Sequence, residues 1–114
     1  MARNYVPERG DAVWLDFDQT SGHEQLGRRP GLVISPRSYN KRVGLALVCP
    51  ITSRIKGFPF EVVLPSGLPI EGAVLADQPR SFDWVGRSVV RAGPLPKPVV
   101  DEVIAKLAAL LHQE

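Results

Sequence analysis

Residues 12–17, Ala-Val-Trp-Leu-Asp-Phe, decide how the rest of the chain is read. Apolar and polar positions alternate here. Val13, Leu15 and Phe17 fall on one face of an extended chain, and Trp14 and Asp16 on the other. A period of two is the signature of a β-strand. Working outward, short runs rich in β-branched and aromatic residues recur between Gly and Pro breaks. Residues 31–34 form an apolar run ended by Ser35-Pro36, and 45–51 form a longer one. Residues 60–64 alternate again, with Phe60, Val62 and Leu64 opposite Glu61 and Val63. Residues 73–76 and 88–91 complete the set. Eleven prolines and ten glycines punctuate these runs, which predicts many short strands and tight turns, as in a small barrel or curled sheet.

The C-terminus changes period. Val100, Val103, Ile104, Leu107, Leu110 and Leu111 follow the spacing of one helix face. Pro98 suits a first helical position, and Asp101 and Glu102 favour a first turn electrostatically. The expected architecture is therefore mainly β with a C-terminal α-helix capping one side. A single helical turn is expected over residues 36–39.

With 114 residues the chain is expected to form one domain, spanning 1–114. Apolar residues at 44% and charged residues at 23% match ordinary globular usage and argue against disorder. No apolar run approaches the ~20 residues of a membrane span, and the N-terminus lacks the apolar core of a secretory signal. One cysteine, Cys49, cannot form an internal disulfide. A cytoplasmic location is expected. One Cys and two His exclude a zinc cluster, and no phosphate-binding glycine loop is present, so neither metal nor cofactor is expected. Cys49, in an apolar strand, reads as a small core residue. Trp14 and Trp84 are each suited to base stacking or to burial.

The net charge of +2 says little, but its distribution says more. Arg28-Arg29, Lys41-Arg42, Arg54 and Lys56 all fall in the first half at or beside expected loops, where they can meet a phosphate backbone. The segment 20–30, Thr-Ser-Gly-His-Glu-Gln-Leu-Gly-Arg-Arg-Pro, is long and polar for a strand connection. Cleaving RNA without a metal needs a base for the ribose 2′-OH, cationic donors for the phosphorane, and an acid for the leaving 5′-oxygen. His23, Glu24, Arg28 and Arg29 supply the right types, as they also would in a solvated loop. Thr52, at the end of a strand, can donate to a phosphate oxygen or support a turn. Asp77 and Gln78 can read base edges or make a turn.

The residues now match a known pattern. Pro7-Glu8-Arg9-Gly10-Asp11, Val13-Trp14-Leu15-Asp16-Phe17-Asp18, Gly22-His23-Glu24-Gln25 and Gly27-Arg28-Arg29-Pro30 closely resemble the MazF/PemK family of bacterial toxin–antitoxin pairs, nearest its MazF branch. The resemblance continues through Ser35-Pro36, Tyr39-Asn40, Pro50-Ile51-Thr52, residues 56–62 and Leu75-Ala76-Asp77-Gln78.

That resemblance implies a small SH3-like β-barrel of the MazF/PemK/CcdB type, working as a homodimer. It implies a toxin that is a sequence-specific, metal-independent endoribonuclease of single-stranded RNA, an mRNA interferase. Attack by the 2′-OH would leave 2′,3′-cyclic phosphate and 5′-OH ends. A cognate acidic, MazE-like antitoxin would wrap the dimer. Carried over residue by residue, Arg29 is the family's essential arginine, Thr52 its catalytic threonine, and Glu24 a proposed general base. His23 matches the base of the PemK-like branch. Asp77 matches an aspartate of that branch, whose arginine two positions earlier is Leu75 here. Arg28 stands where near relatives carry histidine, which leaves the general acid open. Gln78, Arg54 and Lys56 are expected RNA-binding residues, and the loops over 53–59 and 77–80 are expected to set the cleavage sequence. Two other readings share such a fold: a non-enzymatic toxin that poisons DNA gyrase, and a passive RNA-binding barrel. The former depends on an aromatic C-terminal end, and this chain ends Leu111-His-Gln-Glu.

Overall fold

The structure is a computed structural model, and it describes residues 5–16 and 28–113. Strands β1 (Asp11–Leu15), β2 (Arg29–Val33), β3 (Leu45–Thr52), β4 (Glu61–Val63), β5 (Ala73–Leu75), β6 (Arg80–Asp83) and β7 (Val90–Pro94) form one antiparallel sheet. Helix α1 (Arg37–Val43) links β2 to β3, and α2 (Lys97–Leu111) ends the chain. The main path runs β4-β5-β3-β2-β1-β7. Strand β3 is the hub. One edge meets β2, with Gly31 opposite Pro50 and Val33 opposite Val48. The other edge is shared end to end: β6 pairs with its first half and β5 with Ile51 and Thr52. Splitting that edge curls the sheet into a barrel-like shape. No pairing joins β4 to β7 among the described residues, so the sheet is open there.

The expected strands are present, with informative differences. Val13 and Leu15 do share a face, packed with Val33, Ala46, Val48 and Phe82. The opposite face is buried as well, because Ala12 and Trp14 belong with the larger core of Leu32, Cys49, Ile51, Val62 and Val74. Alternation in β1 therefore separates two cores rather than core from solvent. Phe17 lies outside the described residues. In β4 the alternation separates core from solvent, with Val62 and Leu64 buried and Val63 56% exposed. The run at 88–91 begins too early. Ser88 has φ 52 and closes the turn after β6, so β7 starts only at Val90. Strand β6 was not expected, since Arg80-Ser-Phe-Asp offers one buried apolar residue, Phe82.

Helix α2 buries Val99, Val100 and Val103 and half-buries Ile104 and Leu107 against the larger core. Its last turn leaves that surface, and Leu111 is exposed. The helix begins at Lys97, so Pro98 is its second residue rather than its first, and no acidic residue lies in the first turn. Asp101 instead accepts from Lys97 Nζ at 2.8 Å, one turn back. Helix α1 is longer than the single turn expected. Gly44, at φ 82, ends it in the left-handed conformation that favours glycine. Lys41 and Arg42 thus lie in a last helical turn, where cations suit the dipole, and not in a loop.

A buried polar cluster ties α1 to the barrel. Fully buried Asn40 donates from Nδ2 to the Pro7 carbonyl at 2.8 Å and to the Ser35 carbonyl at 3.1 Å. Its Oδ1 accepts from Ser35 Oγ, which in turn accepts from the Leu47 amide at 2.9 Å. Every polar atom in this cluster that is lost to water therefore gains a partner. Nearby, Asp11 accepts from Tyr5 Oη at 2.7 Å and from Arg91 Nε at 3.2 Å, joining the N-terminal segment to β7. Among the described residues, no helix is long and apolar enough to cross a membrane.

Candidate active site

A cleft of about 830 Å³ opens where β2, β3, β5 and the start of β6 meet. Its position follows from the sheet. The β2–β3 pairing ends at Gly31 and Pro50, and Arg29 and Thr52 each lie two residues beyond it, one on either strand. Both line the cleft, Arg29 exposed and Thr52 half-buried. Arg28, Arg54 and Arg80 line it too, so four guanidinium groups surround one opening. All four are exposed, and each can meet a phosphate through charge-assisted hydrogen bonds.

The Thr52 hydroxyl is oriented by its own strand end. Its Oγ1 accepts from the Arg54 amide at 3.0 Å. With that lone pair engaged, the hydroxyl proton remains available to donate into the cleft. The same bond folds the chain back after β3, which brings Arg54 to the rim. The Arg29 and Arg54 guanidinium groups make no hydrogen bond or ion pair among the described residues. Arg28 differs. Its Nη2 donates to the Ser88 carbonyl at 2.5 Å, tying the start of β2 to the β6–β7 turn. One face of this guanidinium is thus structural, leaving the other donors toward the cleft.

The expected site residues divide into those the cleft gathers and those it does not. Arg28, Arg29, Thr52, Arg54 and Gln78 line it. His23 and Glu24 lie outside the described residues. Asp77 is exposed and is not among the lining residues, but its charge reaches Cys49. The Cys49 thiol is pushed up to about 12, first by burial and then by Asp77, and stays protonated and inert near neutral pH. Lys56 is also outside the cleft, with Nζ 5.9 Å from the Phe58 ring centroid. Its loop is nonetheless fixed, because the Glu61 carboxylate accepts from the Lys56 and Gly57 amides at 3.1 and 2.8 Å. Trp14 both packs on the larger core and lines the cleft, whereas Trp84 donates from Nε1 to the Asn40 carbonyl, away from it.

Arg80, the last residue of the expected 77–80 loop, lines the cleft as the first residue of β6, and Glu71 lines it without having been expected there. Arg80 faces Val48 across β3 and β6, so only the unexpected strand β6 places it. Glu71 comes from the turn before β5 and has no local motif. The signal that finds it is Gly72, at φ 127, whose closeness to Thr52 is visible only in three dimensions. Among the described residues no three His, Cys, Asp or Glu side chains gather into a set that could hold a metal ion.

Residues 8–111 match the family model described as the PemK-like, MazF-like toxin of type II toxin–antitoxin systems. The chain is 43% identical to the endoribonuclease toxin MazF of Escherichia coli K12 over 111 residues, which is 97% of this chain and 99% of that one. It is 35% identical to the E. coli endoribonuclease PemK, over 91% of this chain and 81% of that one. Among solved structures, MazF of Deinococcus radiodurans superposes with a TM-score of 0.87 at 51% identity, covering 96% of this chain and all of that one. A MazE–MazF crystal structure from the same organism gives 0.88 at 48% identity, with the same coverage. With a family model over nearly the whole chain and the same fold in its relatives, the chain belongs to the PemK-like, MazF-like toxin family of type II toxin–antitoxin systems.

Proposed function

We propose that the chain is an endoribonuclease toxin that cuts single-stranded RNA at a short sequence, with Arg29 and Thr52 holding the scissile phosphate. The observation that carries this reading is that both line one cleft, each two residues beyond the last β2–β3 pair. The Thr52 hydroxyl donates to a non-bridging oxygen. The Arg29 guanidinium stabilises the charge that builds on the phosphorane. Arginine stays protonated at any working pH, so its part is electrostatic rather than proton transfer. Glu24 takes the 2′-OH proton, with His23 as the rival base. The product would be a 2′,3′-cyclic phosphate and a 5′-OH, formed without a metal ion.

Arg28, Arg54 and Gln78 extend the same surface, the arginines toward phosphates and Gln78 toward base edges. Asp77 and Lys56, outside the cleft, act on flanking nucleotides. The natural inhibitor is an acidic antitoxin of the MazE kind, whose carboxylates suit a cleft ringed by four arginines. The MazE–MazF structures of the relative from D. radiodurans support such a partner. The working form is a homodimer in the cytoplasm. Exposed Val85 and Val90 supply apolar surface for a twin, and a monomer mass by light scattering at micromolar concentration would exclude it.

The names of the relatives favour this reading over a gyrase poison or a passive RNA-binding barrel. The test is incubation of the protein with a long single-stranded RNA in excess EDTA, with product ends mapped. Discrete fragments bearing cyclic-phosphate ends are expected. Intact RNA, together with inhibition of gyrase supercoiling, would replace the reading.

A further inference from the structure

Glu71 is the single carboxylate among the described residues lining the cleft, beside Arg28, Arg29, Arg54 and Arg80. It is exposed and forms no hydrogen bond or ion pair among the described residues, although four guanidinium groups border the same opening. An anion there weakens phosphate binding by repulsion, so its own partner in a bound RNA has to be a group of hydrogen-bond donors rather than a phosphate.

The backbone around it is held from both sides. Ile70 is buried in the larger core, 4% exposed. Gly72 sits at φ 127, against the end of β3. A Cβ there would lie 2.1 Å from the Thr52 carbonyl oxygen and 3.3 Å from Ser53 Cα. The Gly72 carbonyl accepts from the Leu64 amide at 2.8 Å. The Glu71 backbone is therefore held between a buried neighbour and a closely packed one, one residue from direct contact with Thr52. A side chain anchored there stands beside the phosphate that Thr52 would hold, so its backbone needs no rearrangement to meet a neighbouring base.

We propose that Glu71 determines cleavage specificity by accepting hydrogen bonds from the Watson–Crick edge of a guanine beside the scissile phosphate; this rests on the ribonuclease reading above. Guanine N1–H and N2–H₂ form two adjacent donors that match the two oxygens of a carboxylate. Adenine and cytosine present one amino group next to an acceptor, and uracil one N–H between two carbonyls, so each sets an acceptor against a carboxylate oxygen. Single-stranded RNA leaves these edges open to the protein. A good bidentate pair discriminates by enough to change base preference about tenfold or more.

The experiment digests a randomised single-stranded RNA pool with the wild type and with Glu71→Gln, sequences the product ends, and follows rate against pH. The exposed site and an unchanged circular dichroism spectrum would show that the variant folds. A wild-type cleavage sequence containing guanine at a fixed position is expected, with preference there reduced about tenfold in Glu71→Gln and preferences elsewhere retained. A wild-type sequence without a fixed guanine, or one that Glu71→Gln leaves unaltered, overturns the proposal while leaving the ribonuclease reading intact. A loss of rate equal at all sequences with a displaced acidic limb of the pH profile makes Glu71 a base and also overturns it. No cleavage by the wild type defeats the ribonuclease reading, and this proposal with it.

Discussion

Gly72 packs so closely against Thr52 that a single added methyl would lie 2.1 Å from the Thr52 carbonyl oxygen. Thr52 pairs with Ala73 across β3 and β5, so this approach fixes the end of β3 at the point where it delivers its hydroxyl to the cleft. The contact is backbone on one side and would be Cβ on the other. Neither can swing away.

Gly72→Ala is accordingly expected to destabilise the fold by about 3 kcal/mol or more, combining overpacking with an unfavourable φ. It should also cut cleavage strongly under conditions where the variant is still folded, because Thr52 must shift. Chemical denaturation and a cleavage assay on the folded fraction check both. A variant as stable and active as wild type would show that the close approach has no such role.

The Asn40 cluster gives a separate expectation about stability. Truncation to alanine leaves the Pro7 and Ser35 carbonyls and the Ser35 hydroxyl without their buried partner. Asn40→Ala is expected to lose about 2–4 kcal/mol in a urea titration, since each stranded buried group costs about 1–3 kcal/mol. A Tm within a degree or so of wild type would contradict the importance of these bonds.

Alkaline pH probes the core. The folded-state Cys49 thiol is raised from 9.0 to about 12, so the folded protein keeps a proton that the unfolded chain gives up. This contribution is complete below pH 9 and is lost as pH climbs toward 12, at up to about 1.4 kcal/mol per pH unit. Tyr5 is also raised, by burial and by its bond to Asp11, which adds a loss beginning above pH 10. Stability measured by urea should thus be level to about pH 9 and then fall. Cys49→Ala should flatten the first part of that fall and leave the Tyr5 part. An unchanged alkaline limb would show that Cys49 titrates normally.

How far the sequence foretells this structure depends on how local each signal is. The period of two in residues 12–17 and 60–64 is set by neighbours in the chain, and β1 (Asp11–Leu15) and β4 (Glu61–Val63) form over most of the described part of those runs. The larger part of the α2 face is legible for the same reason. That β1 is buried on both faces is not legible, because it depends on Phe82 and Val48 arriving from β6 and β3. Strand β6 itself exists through its pairing with β3, a relation that Arg80-Ser-Phe-Asp does not announce locally. The site divides in the same way. Arg29 and Thr52 are found through a motif resemblance and are then brought to one cleft by the ends of β2 and β3. Arg80 and Glu71 reach the cleft only through long-range register and a glycine contact. Lys41, Arg42 and Lys56, grouped with the cleft cations by sequence proximity, are separated from it by α1 and by the loop that Glu61 holds.

The most direct measurement is the single-turnover cleavage rate of Arg29→Ala against wild type on the same RNA in EDTA, with folding of both checked by circular dichroism. Arg29 is exposed, so its removal should leave the fold intact. The rate is expected to fall about 100- to 1000-fold, the usual consequence of removing one donor that stabilises transition-state charge. A folded Arg29→Ala protein that cuts RNA at close to the wild-type rate would contradict the assignment of the phosphate site to Arg29 and Thr52.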